Sequence, residues 1–178
     1  MQGRVLSEET FDPRQLRNAL GRFATGVTIV TTQTPSGKLE GLTVNSFSAL
    51  SLDPPLVLWS IRKAAPSLPG FLAASRFAVN VLAADQRKLA ADFATPSVDK
   101  FADAPFAIGK LGCPVFPGSI AVFECETENT LEGGDHLIFI GRVVAASYGD
   151  GAPLVFSSGE YCVPVPHASP PELQRLYA

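Results

Sequence analysis

Several features that mark large protein classes are scarce or missing in this chain of 178 residues. It has three cysteines, Cys113, Cys125 and Cys162, an odd number with no CxxC or similar ligand spacing. Neither a structural zinc site nor a disulfide framework is supported, and the thiols read as small buried apolar residues. Lysine and arginine never run longer than two, and a net charge of -3 with a pI near 5.4 provides no general attraction to a phosphate backbone. Nucleic acid is not an expected partner. The opening MQGRVLSEETFDPRQ holds no apolar stretch of signal-peptide length, and no later segment is apolar enough to span a bilayer. The expectation is a soluble cytoplasmic protein without membrane contact. Also missing are GxxxxGK(S/T), a GxGxxG between strand and helix, and a GxSxG elbow. Any nucleotide must be held another way, and a hydrolase triad built on Asp135 and His136 has no nucleophile.

What is present is apolar content, 46% of the chain, enough for one domain with a sizeable core. That domain is expected over residues 1–163, with a proline-rich tail over 164–178 that contains His167. Asp12 and Pro13 open a short amphipathic helix carrying Leu16, Ala19, Leu20 and Phe23. The β-branched run VTIVTTQ (27–33) turns through TPSGK into LEGLTVNSFS, a hairpin. After Pro54 and Pro55 a strand LVLWSI (56–61) follows, then a helical segment at 67–74, a strand at 76–82 and a helix at 84–93. A long irregular connection covers 95–116, of the kind that often carries function. Strands at 119–132 and 136–149 flank the turn Gly133-Gly134-Asp135, and a short pair closes the order. Hairpin-length connections without βαβ alternation argue against a parallel sheet and for a mainly β, antiparallel barrel with a few peripheral helices.

The stretch GLTVNSFSALSLDPPLVLWSI (41–61) is the least ordinary one. Neither parity of it is purely apolar, so neither face is simply core. A flat ring with a polar edge, such as a flavin, needs donors and acceptors in one plane, and its phosphate needs donors or positive charge. Thr43, Asn45, Ser46, Ser48 and Ser51 offer the first, and Lys63 and Ser67 the second. The plainer alternative is that these small polar groups satisfy turns and bulges. His136 stands at the mouth of a hairpin, where Asp135 could hold it in one tautomer, although an ordinary turn residue explains it too. Glu124, Glu126 and Glu128 fall on one strand face, which reads as solvated.

These motifs, taken in order, resemble the short-chain flavin reductases of the split-barrel flavin-binding superfamily, the reductase partners of two-component flavin-dependent monooxygenases. The resemblance runs from RFATGVTIVTT (22–32) through 41–61, RFAVNVL (76–82) and DKF (99–101) to GDHLIFIGRV (134–143) and PLVFSSGEY (153–161). It implies an antiparallel Greek-key split β-barrel that forms a homodimer with flavin near the subunit seam. It also implies that Asn45, Ser46 and Ser48 bond the isoalloxazine edge, supported by Thr43, with Ala49 and Ser51 alongside. Lys63 and Ser67 would serve the phosphate, although Ala64 and Ala65 stand where many relatives carry a hydroxyl. Lys100 and Phe101 would belong to a loop closing near the flavin, and His136 would lie near the nicotinamide. The implied activity is reduction of FMN or FAD by NADH or NADPH, with hydride transfer to flavin N5 and delivery of reduced flavin to a separate monooxygenase. Two other classes share the architecture. A non-catalytic flavin-binding split barrel would have no need of the GDH histidine, and a pyridoxamine-phosphate-oxidase-like enzyme would want a basic cluster absent here.

Overall fold

In the computed structural model, which describes residues 12–96 and 99–165, a seven-stranded antiparallel sheet carries the molecule. Its strands are β2 (Thr28–Gln33), β3 (Leu39–Val44), β4 (Ser48–Leu52), β5 (Pro55–Arg62), β6 (Arg76–Val81), β9 (Ala121–Gly133) and β10 (His136–Tyr148). They lie in the order β3-β2-β6-β9-β10-β5-β4. β6, β9 and β10 lie side by side in chain order, β6 reaching β9 by a long connection that includes the helix Arg87–Ala94 and β9 reaching β10 by a hairpin. The earlier strand β5 sits beside β10, which is a Greek-key order. The two edge strands, β3 and β4, are consecutive in sequence and joined by only three residues, Asn45, Ser46 and Phe47. A sheet whose ends are so tethered must curl, and it does so around one interior. Val30, Trp59, Phe77, Cys125 and Phe139, from five different strands, meet there with Leu42 and Val44 of β3. The result is a barrel split between β3 and β4.

Among the described residues three helices attend it: α1 (Pro13–Leu20), α2 (Leu68–Ala73) and α3 (Arg87–Ala94), the last preceded by a 3-10 turn at Ala84–Gln86. Leu68 and Phe71 of α2 plug one end of the interior, where Phe71 meets Trp59 edge-on at 4.9 Å. A second core lies outside the barrel wall, where Phe93 of α3 packs with Phe101 and Phe116 against Val27, Ile29 and Leu82. β2 is therefore buried on both faces, which suits its unbroken β-branched run. Two short strands, β7 (Ala107–Ile108) and β8 (Pro114–Val115), form inside the connection expected to be irregular. Buried polar side chains stitch that loop down: Thr31 Oγ1 donates to Pro114 O at 2.5 Å, and Asn80 Oδ1 accepts from Phe116 N at 3.0 Å. A small sheet of β1 (Thr25–Gly26), β11 (Val155–Ser157) and β12 (Glu160–Cys162) completes the order.

Three expectations need correcting. Glu124 does not share a solvated face with Glu126 and Glu128; it is only 7% exposed and accepts a 2.7 Å bond from Leu111 N, because the 109–112 turn folds over it. Cys113 and Cys125 are buried, but Cys162 is exposed on the short edge strand β12. The amphipathic helix α1 buries none of its residues in this single chain, leaving Leu20 66% and the following Phe23 79% exposed. Among the described residues no helix is long and apolar enough to cross a membrane. The tail from 166 on, with His167, and the N-terminal residues 1–11 lie outside the described residues.

Candidate functional site

The mixed parity of residues 41–61 has a structural cause. The strand ends at Val44, the chain crosses the split through 45–47, and β4 then restarts with a bulge at Leu50 between the Ala49–Val57 and Ser51–Leu56 pairs. Each break shifts the side-chain alternation by one residue. Within the crossing, Phe47 turns inward and stacks on Phe123 at 5.6 Å. Ser46 Oγ donates to Ser60 O and accepts from Ser60 N, both at 3.0 Å, fastening the split to β5. Asn45 is exposed, and its side-chain amide has no hydrogen-bond partner among the described residues. Ser48 and Ala49 are exposed beside it, Ser48 donating only to Ala49 O at 3.1 Å, while Ser51 is half-buried beyond the bulge. Because β3 and β4 each pair on one side only, their free backbone edges border the same split.

Thr43 points the other way, toward the outer core, where its Oγ1 donates to Ala90 O of α3 at 2.7 Å. There it helps line a cleft of about 250 Å³ between β3, the end of α3, residues 65–67 and the loop carrying Lys100 and Phe101. Ser67, Lys100 and Phe101 line the same cleft. Lys100 Nζ is held by Phe93 O at 2.7 Å and Gly41 O at 3.4 Å, and burial lowers the pKa of its ammonium. Its charge thus caps the last turn of α3 and ties the loop to β3. Gly41 forms the cleft floor: a Cβ there would stand 2.7 Å from Phe93 and 3.0 Å from Phe101. Gly41 and Glu40 are cleft residues that sequence reasoning did not single out. A glycine inside a strand was the available signal, since it marks a close approach.

His136 begins β10 and stands opposite Arg62 in register, two residues from the Ile138–Ser60 rung to which Ser46 is bonded. Residues two apart share a sheet face and lie roughly 7 Å apart. His136 therefore occupies the outer face that also carries Ser60 and, through the Ser48–Leu58 pair, Ser48. Its Nδ1 is 2.7 Å from Asp135 Oδ1, and that bond holds the Asp135 carboxyl below its usual range. Lys63 forms an ion pair with Glu132 across the strand ends, and its backbone N donates to Asp135 O at 2.9 Å. Except for Lys63, the predicted residues thus fall into two neighbouring groups. Asn45, Ser46, Ser48, Ala49, Ser51 and His136 belong to the split and the outer face, and Thr43, Ser67, Lys100 and Phe101 to the cleft behind β3, while Lys63 stands apart just past the end of β5, paired with Glu132.

The sequence pattern of the family described as flavin reductase like domain matches residues 20–164, which includes both groups. The chain belongs to this family. Among its curated flavin reductase relatives, the FMN reductase (NADH) SmoA of Agrobacterium fabrum is 49% identical over 148 residues, covering 83% of this chain and 84% of that protein. The reductase subunit HsaB of a flavin-dependent monooxygenase from Rhodococcus jostii is 40% identical over 158 residues, covering 88% and 80%. A probable flavin reductase of Rhizobium meliloti is 43% identical, and the chain spans 51% of its length. Among solved structures, the NADH:FAD oxidoreductase SgcE6 of Streptomyces globisporus, in complex with NAD and FAD fragments, superimposes with a TM-score of 0.87 at 38% identity, covering 94% of this chain and all of that one.

Proposed function

We propose that this protein is an NADH-dependent flavin reductase whose split, between β3 and β4, holds the isoalloxazine edge, and that it supplies reduced flavin to a separate monooxygenase. The observation that carries the reading is the unpartnered amide of Asn45 beside two free strand edges. An isoalloxazine edge alternates acceptors and donors, and the split presents both kinds of group in one rim. The donor set therefore fits a flavin. When bound, the flavin supplies the redox chemistry, accepting a hydride from a dihydronicotinamide.

The chain's own residues do the positioning. Asn45 and Ser48 offer side-chain groups to the ring edge, and the two Ser46–Ser60 bonds keep that rim rigid. Ala49 leaves room beside it, and Ser51 supports the bulge. Thr43 anchors β3 to α3, holding the rim against the cleft. Lys63 and Ser67 serve the phosphate, Lys63 exchanging its Glu132 partner for the phosphate oxygens. Lys100 and Phe101 hold the loop that bounds the cleft. His136, on the shared outer face, orients the nicotinamide so that the two rings meet face to face, an arrangement worth orders of magnitude in rate. A non-catalytic flavin binder has no use for the Asp135–His136 pair. The names of SmoA, an FMN reductase (NADH), and of SgcE6, an NADH:FAD oxidoreductase, favour NADH over NADPH, and the HsaB relative, named as a monooxygenase reductase subunit, supports a partner oxygenase.

The same reading makes the protein a homodimer. Leu50, Leu52, Leu131 and Val144 stay exposed on β4, β9 and β10, apolar side chains that a second copy would cover. Light scattering at micromolar concentration tests this, and a monomer contradicts it. For the activity, NADH oxidation is compared in the wild type and His136→Ala with FMN or FAD in excess. Loss of an orienting contact lowers kcat/KM by about 10- to 150-fold with an unchanged melting temperature. Turnover within about twofold of wild type removes His136 from the site.

A further inference from the structure

The turn between β9 and β10 is held by more than its own hairpin. Gly134 adopts a left-handed φ of 67°, which lets the chain reverse within two residues and sets Asp135 directly before His136. Lys63 N donates to Asp135 O at 2.9 Å, and the Lys63 ammonium pairs with Glu132, so the end of β5 grips the turn on both sides. Within this clasp the Asp135 carboxylate takes His136 Nδ1 at 2.7 Å. An ionised carboxylate only accepts hydrogen bonds, so Nδ1 carries the proton and the neutral ring keeps its lone pair on Nε2.

We propose that Asp135 is a positioning residue that fixes this tautomer, so that His136 presents Nε2 as a hydrogen-bond acceptor to an N–H or O–H donor of the nicotinamide nucleotide. The inference rests on the proposed placement of His136 against that nucleotide. The complementary group is an uncharged donor, such as the amide of the nicotinamide carboxamide or a ribose hydroxyl. The charged group directly across from His136 in register is Arg62 on β5, while Glu132, paired with Lys63, stands opposite Leu137 and so on the other face of the sheet. Asp135 is 85% exposed, so its removal leaves no hole and no buried group unpaired.

The test uses the intact protein with Asp135→Ala, the carboxylate-retaining Asp135→Glu, and His136→Ala. Nitrogen NMR of the imidazole at a pH where it is neutral reads the tautomer directly. The wild type shows a protonated Nδ1 and a bare Nε2, Asp135→Ala shifts the population toward protonated Nε2, and Asp135→Glu restores part of the wild-type pattern. In parallel, Asp135→Ala raises the KM for NADH so that kcat/KM falls about tenfold, the size of one lost orienting bond. Flavin affinity and melting temperature stay at the wild-type level. If His136→Ala lowers kcat/KM while Asp135→Ala leaves both tautomer and KM unchanged, the role of Asp135 is overturned and the placement of His136 stands. If His136→Ala itself changes nothing, the placement fails and the inference with it.

Discussion

The hydroxyl of Ser46 and the backbone of Ser60 exchange two hydrogen bonds of 3.0 Å across the split in the barrel, tying the crossing of the chain to β5. Both of the serine's polar roles are satisfied by the protein. Ser46→Ala should therefore act first on the fold, leaving a half-buried N–H and C=O without partners at a cost of about 1–3 kcal/mol. Thermal melting reads this as a loss of several degrees; an unchanged melting temperature means that the two bonds do not hold the split.

Asn45→Leu separates binding from stability at the neighbouring position. The side chain is exposed and unpartnered, so melting is expected to stay within about 0.5 kcal/mol of wild type. Flavin affinity, by titration of flavin fluorescence, should fall by the roughly 1–3 kcal/mol of an unpaired polar group at the ring edge. Equal affinity with an intact fold contradicts the placement of the flavin at the split.

Gly41→Ala probes the cleft behind β3. A methyl group 2.7 Å from Phe93 and 3.0 Å from Phe101 forces the aromatic pair and the Lys100 loop to move, costing about 1–3 kcal/mol. Reduced stability together with a raised KM for flavin or NADH is the expected outcome. A stability loss without any kinetic change assigns the cleft to packing only.

The Asp135 carboxyl titrates below its usual range because His136 hydrogen-bonds to it. A lowered folded pKa means that this contact is present above the ordinary carboxylate range and is lost as pH falls through the folded value, and on a carboxyl 85% exposed its weight in the fold is too small to move the melting temperature. Carboxyl NMR on the wild type and His136→Ala checks this: the Asp135 midpoint moves up in the variant. An identical midpoint shows that the 2.7 Å contact does not persist in solution.

Thiol reactivity tests the packing independently of any ligand. Burial raises the Cys125 thiol to about 12 and pushes Cys113 up as well, whereas Cys162 is exposed. A disulfide reagent at mildly alkaline pH should modify Cys162 alone in the native protein and all three cysteines after unfolding. Rapid native modification of Cys125 contradicts the described barrel interior.

The order of elements was legible because VTIVTTQ, LVLWSI and RFAVNVL carry their own β propensity, and because Asp12-Pro13 and Gly133-Gly134-Asp135 mark a helix start and a turn. Asp135 beside His136 was legible for the same reason, since a turn makes neighbours in sequence neighbours in space. The split was not. Its mixed parity depends on Ser46 meeting Ser60 and on a bulge at Leu50, both set by pairing between distant segments. Glu124 follows the same rule: alternation along β9 placed it in water, and a loop arriving from residues 109–112 buried it. The exposed face of α1 and the cleft floor at Gly41 likewise depend on what packs, or fails to pack, from elsewhere in the chain.

The central claim is that this chain brings a flavin and NADH together for hydride transfer, and anaerobic stopped-flow mixing tests it most directly. Protein loaded with FMN, and separately with FAD, is mixed with NADH while the oxidised-flavin absorbance is followed. A rapid, NADH-dependent bleaching with at least one flavin, slowed about 10- to 150-fold in His136→Ala, is the predicted result. Bleaching no faster than free flavin with NADH, from protein shown to bind the flavin, contradicts the account and leaves a flavin-binding barrel without reductase activity.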